Sequence, residues 1–127
     1  MIKFEKLEKI SAKDCDLFYF NKLKSFIKSP VRIFFLKAKK KCIRGNHAHK
    51  ICNQFFISID KPVKILIDSG KLRKKILLKP GKILKIKPYV WVKIILEKNQ
   101  SICVLCDKKY SKNEYIRNYS EFKKLRS

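Results

Sequence analysis

The chain has 127 residues, 33 Lys plus Arg against 10 Asp plus Glu, a formal charge of +23 and 46% hydrophobic residues. That is enough apolar content for one globular domain over residues 1–127 with its charge at the surface, and it excludes a disordered polyelectrolyte. No apolar run reaches the roughly 20 residues of a membrane span, and the start MIKFEKLEKISAKDCD carries acids without an apolar leader core, so a cytoplasmic protein that does not enter membranes is expected.

In chain order, short runs rich in Ile, Val, Leu and Phe predict strands at Val31–Leu36, Asn53–Ser58, Val63–Asp68, Arg73–Leu78, Ile83–Lys87, Val90–Leu96 and Ser101–Cys106. Their spacing of about ten residues is that of a sandwich or barrel, with none of the helical stretches that parallel strands require between them. Asp68-Ser69-Gly70-Lys71 reads as a hairpin turn and Lys79-Pro80-Gly81-Lys82 as another. Helix is expected only near the end, as short turns at Lys112–Tyr115 and Ser120–Leu125. The fold class is therefore all-β.

Five cysteines, Cys15, Cys42, Cys52, Cys103 and Cys106, are an odd number in apolar context, which suits a reducing compartment and burial as small hydrophobes. The Cys103/Cys106 pair lacks the second pair or nearby His that a zinc site needs. The positive charge is mostly lysine, 28 Lys against five Arg, spread along the chain and alternating with apolar residues as in Leu84-Lys85-Ile86-Lys87. Alternation places those lysines on the solvent face of a sheet. Base readout and phosphate clamping favour the Arg fork, so nucleic-acid binding is the weaker reading of the charge.

The residues with chemical content cluster in Arg44-Gly45-Asn46-His47-Ala48-His49-Lys50, followed by Gln54, and both histidines of the chain lie there. In an extended segment His47 and His49 share a face, beside the cations of Arg44 and Lys50. Nearby positive charge favours neutral imidazole, the form that a base or a metal ligand needs. The plainer alternative is a pair of surface histidines in a basic loop. A jelly-roll metal site would add a carboxylate soon after the pair and a third His from a distant strand. Here the following position is Gln54 and the later strand reads Tyr89-Val90-Trp91-Val92 without a His. Two nitrogens and an amide are a poor zinc or iron set, so His47 and His49 are read as acid/base residues in a metal-free pocket.

The Arg44–Lys50 block with Gln54, the strand Arg32-Ile33-Phe34-Phe35, the Pro88…Trp91 segment and the ending Asp107…Tyr110…Glu114-Tyr115-Ile116-Arg117-Asn118-Tyr119…Phe122 together resemble the cupin-fold sugar 3,4-ketoisomerases of bacterial deoxysugar biosynthesis. The resemblance covers about residues 30–122. It implies a cupin jelly-roll β-sandwich, a homodimer with exchanged N-terminal strands and no cofactor. The implied substrate is dTDP-4-keto-6-deoxyglucose, whose ketone moves from C4 to C3 through an enediolate, ahead of 3-amination in surface-glycan biosynthesis. Carried over by residue, His49 is the base at C3 and His47 the proton relay at C4. Arg44 stabilises the enediolate or diphosphate, Gln54 hydrogen-bonds the sugar and Trp91 walls the pocket. Lys50 supplies a further cation, and Arg117 and Tyr115 close the pocket or hold the C-terminal tail. The chain departs from the family pattern in two places. An early Arg-Gly pair is replaced by Cys15-Asp16-Leu17-Phe18-Tyr19, and the strand ending Phe35-Leu36-Lys37 lacks the family tyrosine, leaving Lys37 or Tyr89 to stand in. A 3,5-epimerase of the same fold and a basic nucleic-acid-binding protein are the alternative readings.

Overall fold

The computed structural model describes residues 2–14, 16–19 and 32–127, so Cys15 and Val31 lie outside the described residues. Among these, the strands are β1 (Ile2–Lys6), β2 (Glu8–Ser11), β3 (Asp16–Tyr19), β4 (Arg32–Lys37), β5 (Cys42–His49), β6 (Gln54–Ser58), β7 (Val63–Asp68), β8 (Arg73–Leu78), β9 (Lys82–Ile86), β10 (Trp91–Leu96), β11 (Ser101–Cys106) and β12 (Tyr115–Ile116). A 3-10 turn at Lys112–Glu114 precedes β12, and helix α1 (Tyr119–Arg126) follows it. No described helix is long and apolar enough to cross a membrane.

Two antiparallel five-stranded sheets, in the orders β1-β9-β6-β11-β4 and β12-β5-β10-β7-β8, pack face to face as a jelly-roll sandwich, with β2 and β3 as a separate ribbon. The core follows from period-two alternation. Val63, Ile65 and Ile67 of β7, Val92, Ile94 and Leu96 of β10, and Ile102, Val104 and Cys106 of β11 point between the sheets and join one buried cluster. On β10 the intervening Lys93 and Ile95 are only half buried.

All seven expected strands are present, three of them with the expected bounds. The turn at Gly70 has the anticipated positive φ, +93°, and its N–H donates to Asp68 Oδ1 at 2.7 Å. Helix α1 begins where the Asn118 side chain accepts from the Glu121 N–H at 2.9 Å, an N-cap that satisfies one of the free donors of the first turn. Strands β1, β2, β3, β5 and β12 were not among the strands read from local apolar patterns; N-terminal strands were expected only from the family resemblance, and an extended β5 only as the condition for His47 and His49 to share a face. The β2–β3 ribbon is exposed along its whole length, so its residues carry no inside–outside pattern to read.

Strand β5 contains the feature that positions the site. Gly45 and Asn46 both have positive φ, +79° and +60°, and the register against β10 slips there, from Lys93 opposite Gly45 to Val92 opposite His47. Asn46 is the extra residue of a β-bulge. Strict alternation would put Arg44 on the opposite face from His47 and His49. The bulge reverses the parity, so Arg44 and His47 line the same cavity. A Cβ on Gly45 would meet the Val92 carbonyl oxygen at 3.0 Å in a backbone conformation that L residues rarely adopt. Gly45→Ala is therefore expected to cost about 1–3 kcal/mol, read as a lower urea midpoint with an unchanged m-value.

Candidate active site

The antiparallel register gathers the interior polar residues at one end of the sandwich. Cys106, at the end of β11, lies opposite Arg32 at the start of β4 and Gln54 at the start of β6, while Val92 at the start of β10 lies opposite His47. These strand ends enclose a cavity of about 470 Å³ lined by Arg44, His47, Gln54, Tyr110, Tyr115 and Arg117 over an apolar floor that includes Phe34 and Phe56.

His47 stands on the cavity wall, and His49 lies one layer behind it. Their rings are 5.0 Å apart and nearly perpendicular, and the Tyr115 ring packs on both, 4.8 Å from His47 and 4.4 Å from His49. Behind His49 sits Glu114, buried at 8% exposure. One Glu114 oxygen accepts from the backbone N–H of Ile51 at 2.7 Å and Cys52 at 2.8 Å, and the other pairs with His49 Nδ1. A carboxylate can only accept, so Nδ1 carries the proton and Nε2 carries the lone pair. His49 Nε2 and His47 Nδ1 are both buried without a hydrogen-bond partner among the described residues. Unpaired buried nitrogens are costly, and they are the groups through which a polar ligand gains most.

Burial, with the neighbouring His49 and Arg117, pushes His47 down to about 4. His49 is also lowered by burial and by Arg32 and Arg117, against the opposing pull of Glu114. Backbone donors and His49 outweigh burial at Glu114 and hold it below its ordinary value. Both imidazoles are thus neutral at pH 7, beside one charged carboxylate.

Behind the lining residues, the Arg32 guanidinium donates to the Tyr115 hydroxyl at 3.0 Å and to Cys106 Sγ at 3.3 Å, and it lies 5.5 Å from the ring centres of Phe34 and Tyr110. Gln54 Nε2 reaches Cys106 Sγ at 3.7 Å. The Cys52 thiol and these donors hold the Cys106 thiol below its ordinary range, so Cys106 is more than a small hydrophobe. Cys103, three residues earlier on the same strand, points to the opposite face, so the Cys103/Cys106 pair cannot converge on a metal.

Of the expected site residues, His47, Gln54, Tyr115, Arg117 and Arg44 surround the cavity, with Arg44 exposed at its mouth and the Arg117 guanidinium 4.4 Å over the Tyr115 ring. Two are elsewhere. Trp91 faces the outer side of the sheet because its neighbour Val92 takes the inward position. There it packs with Ala48, Ile116 and Phe122 under α1 and donates to Asn46 Oδ1 at 3.2 Å. It borders a larger surface groove of about 750 Å³, with Lys93, Arg73 and Tyr119, that contains no histidine. Lys50 is exposed, and its backbone N–H, not its amine, meets the site by donating to the Glu114 carbonyl at 3.0 Å. Glu114, Arg32, Tyr110 and Cys106 were not expected as site residues. The signals for Glu114 were its place beside Tyr115 in the ending that carries the family resemblance and its being an isolated acid just after the lysine-rich stretch 108–112.

The FdtA family, described as WxcM-like, C-terminal, matches residues 1–127. This chain belongs to the FdtA family. A curated relative, TDP-4-oxo-6-deoxy-alpha-D-glucose-3,4-oxoisomerase of Aneurinibacillus thermoaerophilus, is 31% identical over 83 residues, 64% of this chain. The matched stretch spans about 60% of that relative's length. WlaRA of Campylobacter jejuni, a TDP-fucose-3,4-ketoisomerase, is 28% identical with a TM-score of 0.83, covering 99% of this chain and 96% of that one. The sugar 3,4-ketoisomerase QdtA of Thermoanaerobacterium thermosaccharolyticum, solved with TDP, is 26% identical with a TM-score of 0.90, covering 98% and 93%. A histidine-to-asparagine variant of QdtA was solved with TDP-4-keto-6-deoxyglucose.

The histidine environment gives a pH test. With His47 held at about 4 against an ordinary 6.5, the unfolded chain binds a proton that the folded chain refuses. Its stability contribution is complete above pH 6.5 and is lost as pH falls toward 4. The urea midpoint should therefore drop between pH 6.5 and 4.5, and His47→Gln should flatten that slope while leaving the pH 7–8 region level.

Proposed function

We propose that this protein is a metal-independent sugar 3,4-ketoisomerase that converts dTDP-4-keto-6-deoxyglucose to the corresponding 3-keto sugar. The observation that carries this reading is His49, with Nδ1 tied to buried Glu114 and an unpaired Nε2 aimed away from it, next to a second neutral histidine on the cavity wall. Moving a ketone between adjacent carbons requires a base at C3, a proton source at C4 and stabilisation of the enediolate between them. His49 has the electronic arrangement of the base, because Glu114 stabilises the imidazolium formed when Nε2 takes the C3 proton. His47 has the exposure to deliver a proton at C4. Arg44 and Arg117 at the cavity rim supply positive charge for the enediolate or the diphosphate. The family relatives named as 3,4-ketoisomerases support the same reaction class. A C3 ketone is the form of sugar that a 3-aminating enzyme consumes, so the product feeds 3-amination ahead of surface-glycan assembly.

We further propose a homodimer. The outer face of β4 exposes Ile33 at 56% and Phe35 at 65%, and the register sets them beside partly buried Leu105 and buried Cys103 of β11. Two large apolar side chains exposed two residues apart on one strand face are the feature that a second copy would cover. Light scattering should give twice the chain mass, and Phe35→Lys should shift it toward the monomer.

The reaction is tested with purified, metal-stripped protein and dTDP-4-keto-6-deoxyglucose in deuterated water. NMR should show loss of the C3 proton and growth of a 3-keto sugar. His49→Asn should remove both signals by about 10²-fold or more. Absence of C3 exchange with the native protein would refute the isomerase, and additional exchange at C5 would indicate a 3,5-epimerase.

A further inference from the structure

We infer that the Tyr115 hydroxyl is the catalytic group that moves the proton between the two substrate oxygens, and that Arg32 is its positioning residue. This rests on the isomerase reading and adds a residue role that the histidine pair leaves open.

Proton accounting sets the requirement. In the 4-keto sugar C3 carries H and OH, and C4 is a carbonyl; in the product C4 carries H and OH, and C3 is the carbonyl. Two protons move at carbon, one leaving C3 for His49 and one arriving at C4 from His47, and the proton gained by His49 replaces the one His47 gives, so the adjacent pair ends in the neutral state in which it began. Two more move at oxygen, one arriving at O4 and one leaving O3. A single neutral hydroxyl does both and returns to its starting state. It gives its proton to O4 as the C3–H bond breaks and the enediol forms, then takes the O3 proton as C4 is protonated and the C3 carbonyl closes. No electrons leave the substrate, and the tyrosine is regenerated.

The cavity wall offers two hydroxyls among the described residues, Tyr110 and Tyr115. Tyr110 is 60% exposed, so water competes for its O–H. Tyr115 is half buried, and its ring is gripped from several sides: by His47 at 4.8 Å, His49 at 4.4 Å, Tyr110 at 5.7 Å and the Arg117 guanidinium at 4.4 Å. Its β12 backbone is paired with β5 at His49 itself, which fixes the phenol relative to both imidazoles. The hydroxyl oxygen accepts from Arg32 at 3.0 Å, which occupies a lone pair and leaves the O–H proton free to point into the cavity. Arg32 is in turn held by Cys106 Sγ and stacked against Phe34 and Tyr110, so the donor cannot swing away. A guanidinium donating to the oxygen also stabilises the negative charge that develops there when the proton leaves.

The test is Tyr115→Phe, which keeps the ring contacts, assayed with dTDP-4-keto-6-deoxyglucose in deuterated water by following C3 exchange in recovered substrate and formation of 3-keto product separately. Carbon deprotonation by the histidine survives the loss of the hydroxyl better than the oxygen transfer does. Product formation should fall by about 10²–10⁴-fold, and the ratio of exchange to product formation should rise by about tenfold or more. Arg32→Lys, which keeps the charge and loses the fork, should lower kcat more than it raises KM. An unchanged ratio in Tyr115→Phe, whether both rates persist or both vanish, would overturn the inference. A native protein that shows neither exchange nor product would instead defeat the isomerase reading.

Discussion

The bonds of one buried carboxylate tie the C-terminal segment to the strand that carries the histidines. Glu114 closes the turn before β12 and satisfies two backbone donors just beyond β5 while holding His49 Nδ1. Its own carbonyl accepts from Lys50, and the next two residues pair with His49 and Ala48. Removing the carboxyl group would leave two backbone N–H groups, that of Cys52 buried, and an imidazole proton without acceptors, a penalty above that of an ordinary lost hydrogen bond. The same contacts set the tautomer of His49 and bring Tyr115 against it. Folding of the tail and assembly of the site are therefore one event.

The second constraint is parity. A sheet strand has two faces, and a bulge is the means by which one strand presents residues of odd and even number to the same side. Gly45-Asn46 does this on β5, joining Arg44 to the His47 side, and the neighbouring strand shows the result of leaving parity alone. On β10, Val92 faces the cavity and Trp91 the outer cluster under α1. The two sides of this sheet thus have separate tasks, chemistry inside and anchorage of the tail outside. Ala48, between the histidines, faces the outer cluster at 0% exposure and leaves room for Phe122.

How much of this could be read from the residues depends on whether a local pattern carried the information. Strands β7, β8 and β11 were legible to the residue because alternation and flanking turns mark both ends. Strand β5 was not, since Arg44-Gly45-Asn46 shows no apolar alternation, and here the Gly-Asn pair is a bulge inside a strand. The pairing of His47 and His49 on one face was legible from spacing alone. The inward turn of Val92 instead of Trp91 was not, because an aromatic next to a valine gives no sign of which faces the core. The places of Glu114 and Arg32 in the site were invisible for another reason. They are 82 residues apart, and only the register that sets β4 beside β11 and β12 beside β5 brings both to Tyr115 and His49.

The net charge of +23 acquires a specific meaning from this arrangement. Ten of the 28 lysines lie on the described strands, where they act on solubility and edge protection. Inside, the cations number few and are placed: Arg32 beneath Tyr115, Arg117 over its ring and Arg44 at the mouth. Arg32 and Arg117 both work against protonation of His49, and Arg117 against that of His47, adding to the larger effect of burial. A basic interior would repel every proton if nothing opposed it. Glu114 opposes it most strongly at His49, which it contacts directly, and only at longer range at His47, so a proton taken up at His49 Nε2 meets a compensating charge in contact that His47 lacks. The asymmetry between two histidines of identical type, two residues apart, comes from that single acid.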